Sequence, residues 1–208
     1  MLPRIDRVTT RGTIPSPDGP RPAELTVWLL GDDEQVLVID AAHELDPIRD
    51  AVGSRTVVGV ACTHGHRSHV DQAVALADSV GAPTLINAAD QSLWDEVHPT
   101  HGPDGELPHD EEIRVAHVGV RVLHTPGHTP GSVCLYVPPL GVVFTGDTLL
   151  KGGPLPTDRT VSRYPELSRW LRERVLALPP ETRVLPGHGE ETTVGDERDL
   201  PELVAPEP

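Results

Sequence analysis

Three histidines fall within six residues in "THGHRSH", where His64, His66 and His69 follow the apolar run "VVGVAC". Further on, His128 stands in "HTPGH", Asp147 closes "GVVFTGD", and His188 follows "RVLP" in "PGHG". Imidazole nitrogens and a carboxylate are the donors that zinc and neighbouring transition metals take from proteins. Residues i and i+2 of an extended segment point the same way, so His64 and His66 can approach one cation with nitrogens near ~2.0–2.1 Å. Gly65 between them adds backbone freedom. Gly127 and Gly131, flanking Pro126 and Pro130, set a tight turn that presents His128 outward, and Gly146, Gly187 and Gly189 serve Asp147 and His188 similarly.

Each of these groups stands just behind a run rich in Val, Ile and Leu. Such runs, at 25–32, 35–42, 56–63, 82–87, 120–125, 132–137, 141–147 and 182–187, read as strands. Apolar residues at helical spacing mark 45–53, 69–81, 88–97 and 164–179, the last most clearly. Strands 25–32 and 35–42, joined at "GDDE", pair antiparallel, as do 132–137 and 141–147 across "PPLG". These hairpins exclude a purely parallel doubly wound sheet. The fold class is α+β, and two halves that each begin with a hairpin and end in a helix fit an internally pseudo-symmetric sandwich. Stretches 11–23 and 98–112, rich in Pro, Gly and charge, read as surface loops, and 196–208 reads as a loose acidic tail. If the strand ends lie on one edge, their loops gather five histidines and an aspartate into one metal site.

With 208 residues, the chain fits one domain over 1–208, since chains split beyond about 250–300 residues. A formal net charge of −15, without a basic run, excludes nucleic acid as a partner. No stretch reaches the ~18 apolar residues of a membrane span, and "MLPRIDRVTTRG" lacks the apolar segment of a secretory signal, so the expected location is cytoplasmic, with no membrane partner. Cys62 and Cys134, inside apolar runs, are expected as buried reduced thiols. The remaining histidines, His43, His98, His101, His109, His117 and His124, lack the strand-end context and read as surface or structural residues.

In the order "THGHRSH", "HTPGHTPGS", "FTGDTL", "PGHG", the sequence resembles the metallo-β-lactamase-fold hydrolases, and within them the glyoxalase II-like actinobacterial branch, over about residues 4 to 195. The resemblance implies a four-layer αβ/βα sandwich of two pseudo-symmetric halves. It implies that His64, His66 and His128 hold a first metal, that Asp147 bridges, and that His69 and His188 hold a second. Zinc is the expected cofactor, as one or two ions, with iron the alternative. The family pattern is His-x-His-x-Asp-His, and this chain departs from it: Ser68 occupies the aspartate position. A neutral hydroxyl is a far poorer ligand than a carboxylate, so the second position is expected to fill less readily. Ser68 also matches a Ser-x-x-acid helix cap, accepting the amide of Asp71, and Asp71 itself is a further carboxylate within conceivable reach of the cleft.

The chemistry implied is attack on a carbonyl by hydroxide at a metal that lowers the pKa of water toward ~7. A thioester of a low-molecular-weight thiol suits such a site, because a thiolate whose thiol pKa is near ~8.5 leaves without a general acid. If the host is an actinobacterium, mycothiol is the carrier. Lys151, the lone lysine, follows Asp147 by four residues and is either a contact for an anionic part of this small-molecule substrate, with Arg159 beside it, or a solvated loop charge. Two other readings stand beside the hydrolase. His64, His128 and Asp147 can form the two-histidine, one-carboxylate face of a mononuclear Fe(II) persulfide dioxygenase. Alternatively, a metal-stabilised fold has become a non-catalytic binding protein. A homo-oligomer is compatible with all three.

Overall fold

The computed structural model describes residues 3–14, 19–154 and 164–199, the last stretch with side chains from 166 onward. Among these residues, two six-stranded sheets lie face to face. The first runs in the order β1 (Arg4–Ile14), β2 (Arg21–Gly31), β3 (Gln35–Ile39), β4 (Thr56–Ala61), β5 (Thr84–Ile86), β6 (Gly105–Glu106). The second runs β12 (Thr192–Thr193), β11 (Arg183–Pro186), β10 (Val142–Gly146), β9 (Val133–Val137), β8 (Val118–His124), β7 (Glu112–Val115). In each half an antiparallel hairpin, β2–β3 or β9–β10, is followed by a helical crossover to a parallel strand. The crossover is α1 (Leu45–Val52) between β3 and β4 and α5 (Tyr164–Trp170) between β10 and β11. The pseudo-symmetric α/β/β/α sandwich read from the sequence is the observed fold.

Period-two side-chain alternation explains the layers. In β2, Leu25, Val27 and Leu29 face a core shared with Ile48 and Val52 of α1, Leu76 of α3 (Ala73–Val80) and Trp94 of α4 (Gln91–Val97). The intervening Trp28 and Leu30 face the other sheet, where they join Leu37, Ile39, Val122, Leu135, Phe144 and Leu185. A third cluster packs Cys134, Val143 and Val184 under Leu167, Leu171 and Val175. Central strands are thus buried on both faces, which is why they read as continuous apolar runs. No described helix is long and apolar enough to cross a membrane.

Four expectations change. The stretch 11–23 is not simply a loop: 11–14 ends β1 and 21–23 begins β2, in register from Arg4↔Gly31 to Ile14↔Arg21. This edge strand is polar and half exposed, with only Thr10 fully buried, so it has the character of a protected edge rather than of a core strand. Within 98–112, Gly105–Glu106 adds a short parallel edge. The helix expected over 69–81 is two helices, α2 (Arg67–Val70) and α3, because the chain turns at Asp71–Gln72, where the Gln72 amide donates to Ala41 O, so that His69 can face inward. Residues 194–197 form α6 (Val194–Glu197), and Glu197 is buried, accepting from Thr192 Oγ1 and the Gly152 amide. The tail reading therefore fails for 196–199, and 200–208 lie outside the described residues.

Candidate metal centre

All six site residues named from the sequence leave the C-terminal ends of strands on one rim: His64, His66 and His69 after β4, His128 after β8, Asp147 after β10 and His188 after β11. Ligand atoms of His64, His66 and His128 lie within 4.8 Å of one another, as do those of His64, His69 and Asp147. His128 Nε2 is 3.0 Å from His66 Nδ1 and 3.7 Å from Asp147 Oδ2. His69 Nε2 is 3.3 Å from Asp147 Oδ2, and His188 Nδ1 is 2.7 Å from Asp147 Oδ1. Asp147 therefore stands between the histidines of the two halves.

The donor chemistry fits a cation. His64 Nε2, His69 Nε2, His128 Nδ1 and His188 Nε2 are buried without a hydrogen-bond partner, a state costly for a polar atom unless something else satisfies it. Burial, reinforced by His69 and His128, holds the His64 pKa well below the ordinary histidine range. His66 is lowered by burial and by His69, and His128 falls to about 4 through burial, against the opposing pull of Asp147. Three neutral imidazoles side by side are a ligand set awaiting positive charge. His69 differs. Burial alone would lower its pKa, but Asp147 and Asp40 outweigh that and carry it up to about 10. Asp147, despite burial, is held well below the carboxylate range by His69 and His188.

Two residues that sequence reading passed over complete the surroundings. Asp40, 1% exposed at the end of β3 with φ +59, accepts from the Thr63 amide (2.7 Å), Thr63 Oγ1 (2.8 Å) and His69 Nδ1 (2.9 Å). It fixes which His69 nitrogen faces the centre. "QVLVID" carried the same strand-end signal as "GVVFTGD", so Asp40 was discoverable. Asp90, wholly buried, receives the Gly65 amide (2.8 Å), Thr129 Oγ1 (2.7 Å) and the Gly131 amide (2.6 Å), and nothing local in its sequence marks it.

Other expectations are redirected. Ser68 does not cap a helix: it lies inside α2, whose N-cap is His66 without a side-chain cap bond, and the Asp71 amide donates to Arg67 O. Asp71 turns away from the cleft and accepts from the His43 amide at 2.7 Å. His43, expected as surface or structural, is structural: its side chain is 4% exposed. His124 is likewise structural, with Nε2 2.9 Å from Pro130 O inside the His128 turn. Lys151 is exposed and paired with Glu190 at 2.6 Å, which places it beside the His188 loop; Arg159 lies outside the described residues. Cys62 and Cys134 are buried free thiols.

A family model described as "Metallo-beta-lactamase superfamily" matches residues 23–188. The chain is similar to a probable metallo-hydrolase, YqgX, of Bacillus subtilis, with 30% identity over 192 residues, covering 86% of this chain and 91% of that protein. It is 28% identical over 187 residues to the hydroxyacylglutathione hydrolase GloC of Haemophilus influenzae, covering 82% and 88%. The crystal structure of BLEG-1 B3 metallo-beta-lactamase superposes with a TM-score of 0.82 at 22% identity, covering 97% of this chain and 100% of that one. TTHA1623 in a di-iron-bound form superposes at 0.72 with 29% identity, covering 91% and 97%.

Proposed function

The chain belongs to the metallo-beta-lactamase superfamily, and from that premise we propose that it is a metal-dependent hydrolase that cleaves the thioester of a low-molecular-weight thiol. The observation that carries the reading is the cluster of buried imidazoles around Asp147, four of which have a nitrogen without a hydrogen-bond partner. Relatives named as a metallo-hydrolase and a hydroxyacylglutathione hydrolase support hydrolysis and the thioester class.

His64, His66 and His128 are proposed to hold a first ion, with Asp147 reaching toward a second position shared with His69 and His188. Zinc or iron suits these donors, and either, when bound, supplies Lewis acidity and brings the pKa of water toward ~7. The chain's residues supply the rest. Asp40 keeps His69 oriented through Nδ1, and Asp147, accepting from His188 Nδ1 and lying 3.3 Å from His69 Nε2, stands between the two halves of the rim. A thiolate leaving group with thiol pKa near ~8.5 departs without a proton from the protein, so no general acid is assigned. Lys151, at the rim beside Glu190, is proposed to meet an anionic part of the thiol carrier.

The test begins with a metal count on protein purified without added metal. Thiol release is then measured from acyl thioesters of glutathione and mycothiol, before and after chelation and reloading. Hydrolysis that disappears with the metal and returns with it supports the proposal. Oxygen uptake with a persulfide and no thiol release replaces the hydrolase with the dioxygenase, and neither activity in metal-loaded protein leaves the binding-protein reading.

A further inference from the structure

We propose that Asp90, from outside the set of candidate ligands, is the positioning residue that sets the separation between the His64–His66 loop and the His128 loop. The inference rests on the metal reading above.

The two loops come from different halves of the sandwich, and the carboxylate of Asp90 joins them. Its Oδ2 accepts from the Gly65 amide, between His64 and His66, and from Thr129 Oγ1, next to His128; its Oδ1 accepts from the Gly131 amide. All three donors sit within three residues of a candidate ligand, and Asp90 is 0% exposed. Its own placement is rigid. It ends a 3₁₀ turn, Ala88–Asp90, capped by Asn87, whose Oδ1 accepts from the Ala89 amide while its Nδ2 donates to Leu107 O. Hydrogen bonds to a buried carboxylate are short and strong, so the loops are held tightly at that point.

The glycines are explained by the same contact. A Cβ on Gly131 would lie 2.6 Å from Asp90 Cγ and 2.7 Å from its backbone N, and one on Gly65 would lie 2.7 Å from Leu93 Cβ and 3.2 Å from Asp90 Cβ. Close approach to Asp90 at Gly131, and to Leu93 and Asp90 at Gly65, requires glycine at both positions more than backbone freedom does.

Asp90→Asn keeps the side-chain shape but offers one acceptor oxygen, so an N–H of the amide must face either the Gly65 or the Gly131 amide. Co2+ and Zn2+ affinities, measured by competition with a chromophoric chelator, are expected to fall at least ~10-fold, with a changed Co2+ absorption spectrum. Asp104→Asn is the control. Asp104, an exposed carboxylate away from the rim, takes the Thr84 amide and Oγ1 on Oδ2 alone, an oxygen that asparagine keeps, so this variant removes one acidic charge and is expected to leave fold, affinity and spectrum unchanged. Parental affinity and spectrum in Asp90→Asn, with the parent binding metal, overturn the inference and leave the metal reading intact. A parent that binds neither ion overturns the metal reading and the inference with it. Should Asp90→Asn fail to fold, Thr129→Val removes one donor and keeps the carboxylate; weaker binding there supports the inference, and unchanged binding overturns it.

Discussion

Asp40→Asn changes one oxygen to an amide nitrogen in a pocket where three groups donate to it, and the consequence can be followed atom by atom. Asp40 Oδ1 takes the Thr63 amide, and Oδ2 takes Thr63 Oγ1 and His69 Nδ1. A backbone N–H cannot become an acceptor, so the asparagine oxygen must stay on Thr63 N and the new NH2 must face Thr63 Oγ1 and His69. The hydroxyl can rotate to accept. His69 can accept only by giving up the proton on Nδ1 and carrying one on Nε2, the nitrogen 3.3 Å from Asp147 Oδ2. Asp40→Asn therefore turns the His69 lone pair away from the centre. The lost hydrogen bond to a charged acceptor is worth ~1.5–3 kcal/mol. Misorienting a ligand in this way weakens metal binding by ~10–100-fold, which at 1.36 kcal/mol per pKa unit or decade is ~1.4–2.7 kcal/mol. The two magnitudes agree. Metal titration against a chelator measures the affinity, and long-range 1H–15N correlation reads the His69 tautomer. Parental affinity with Nδ1 still protonated would refute the reasoning.

In chelator-treated protein, the His69 pKa of about 10 lies above its ordinary 6.5, so its pairing stabilises fully below the lower value and is lost as pH rises through the higher. The urea midpoint is expected to drop between pH 7 and 10, and His69→Asn should flatten that limb. Burial pushes Cys62 well up and Cys134 to about 11, so neither thiol should react with a disulfide reagent at pH 8 until the protein is unfolded. Phe144, fully buried with its ring centroid 6.0 Å from that of Trp28, sits on the strand leading to Asp147; Phe144→Ala should cost ~3–5 kcal/mol in denaturant unfolding. Lys151→Ala removes an exposed, solvent-screened pair and should leave the urea midpoint unchanged. If Lys151 meets the carrier, KM for an anionic thioester rises while kcat holds; an unchanged KM removes that role.

The sequence by itself determined the layer plan and the rim. Val27, Leu29, Val36 and Val38 alternate with Trp28, Leu30, Leu37 and Ile39, and such runs, buried on both faces, leave a period and a composition that can be read locally. Because each candidate ligand follows one of those runs, its place at a strand end was legible too. Edge strand β1 was not, since its half-exposed, charged surface has no apolar pattern to read. Nor was the break at Asp71–Gln72, where the backbone bond to Ala41 and the burial of His69 override helical spacing. Only the tertiary structure decided which nitrogens face the centre, that Asp71 serves His43 and Asp40 serves His69, and that Asp90 spans both loops. The physical reason is that these are hydrogen bonds between residues 23 to 41 positions apart, with directions set by packing that no local spacing encodes.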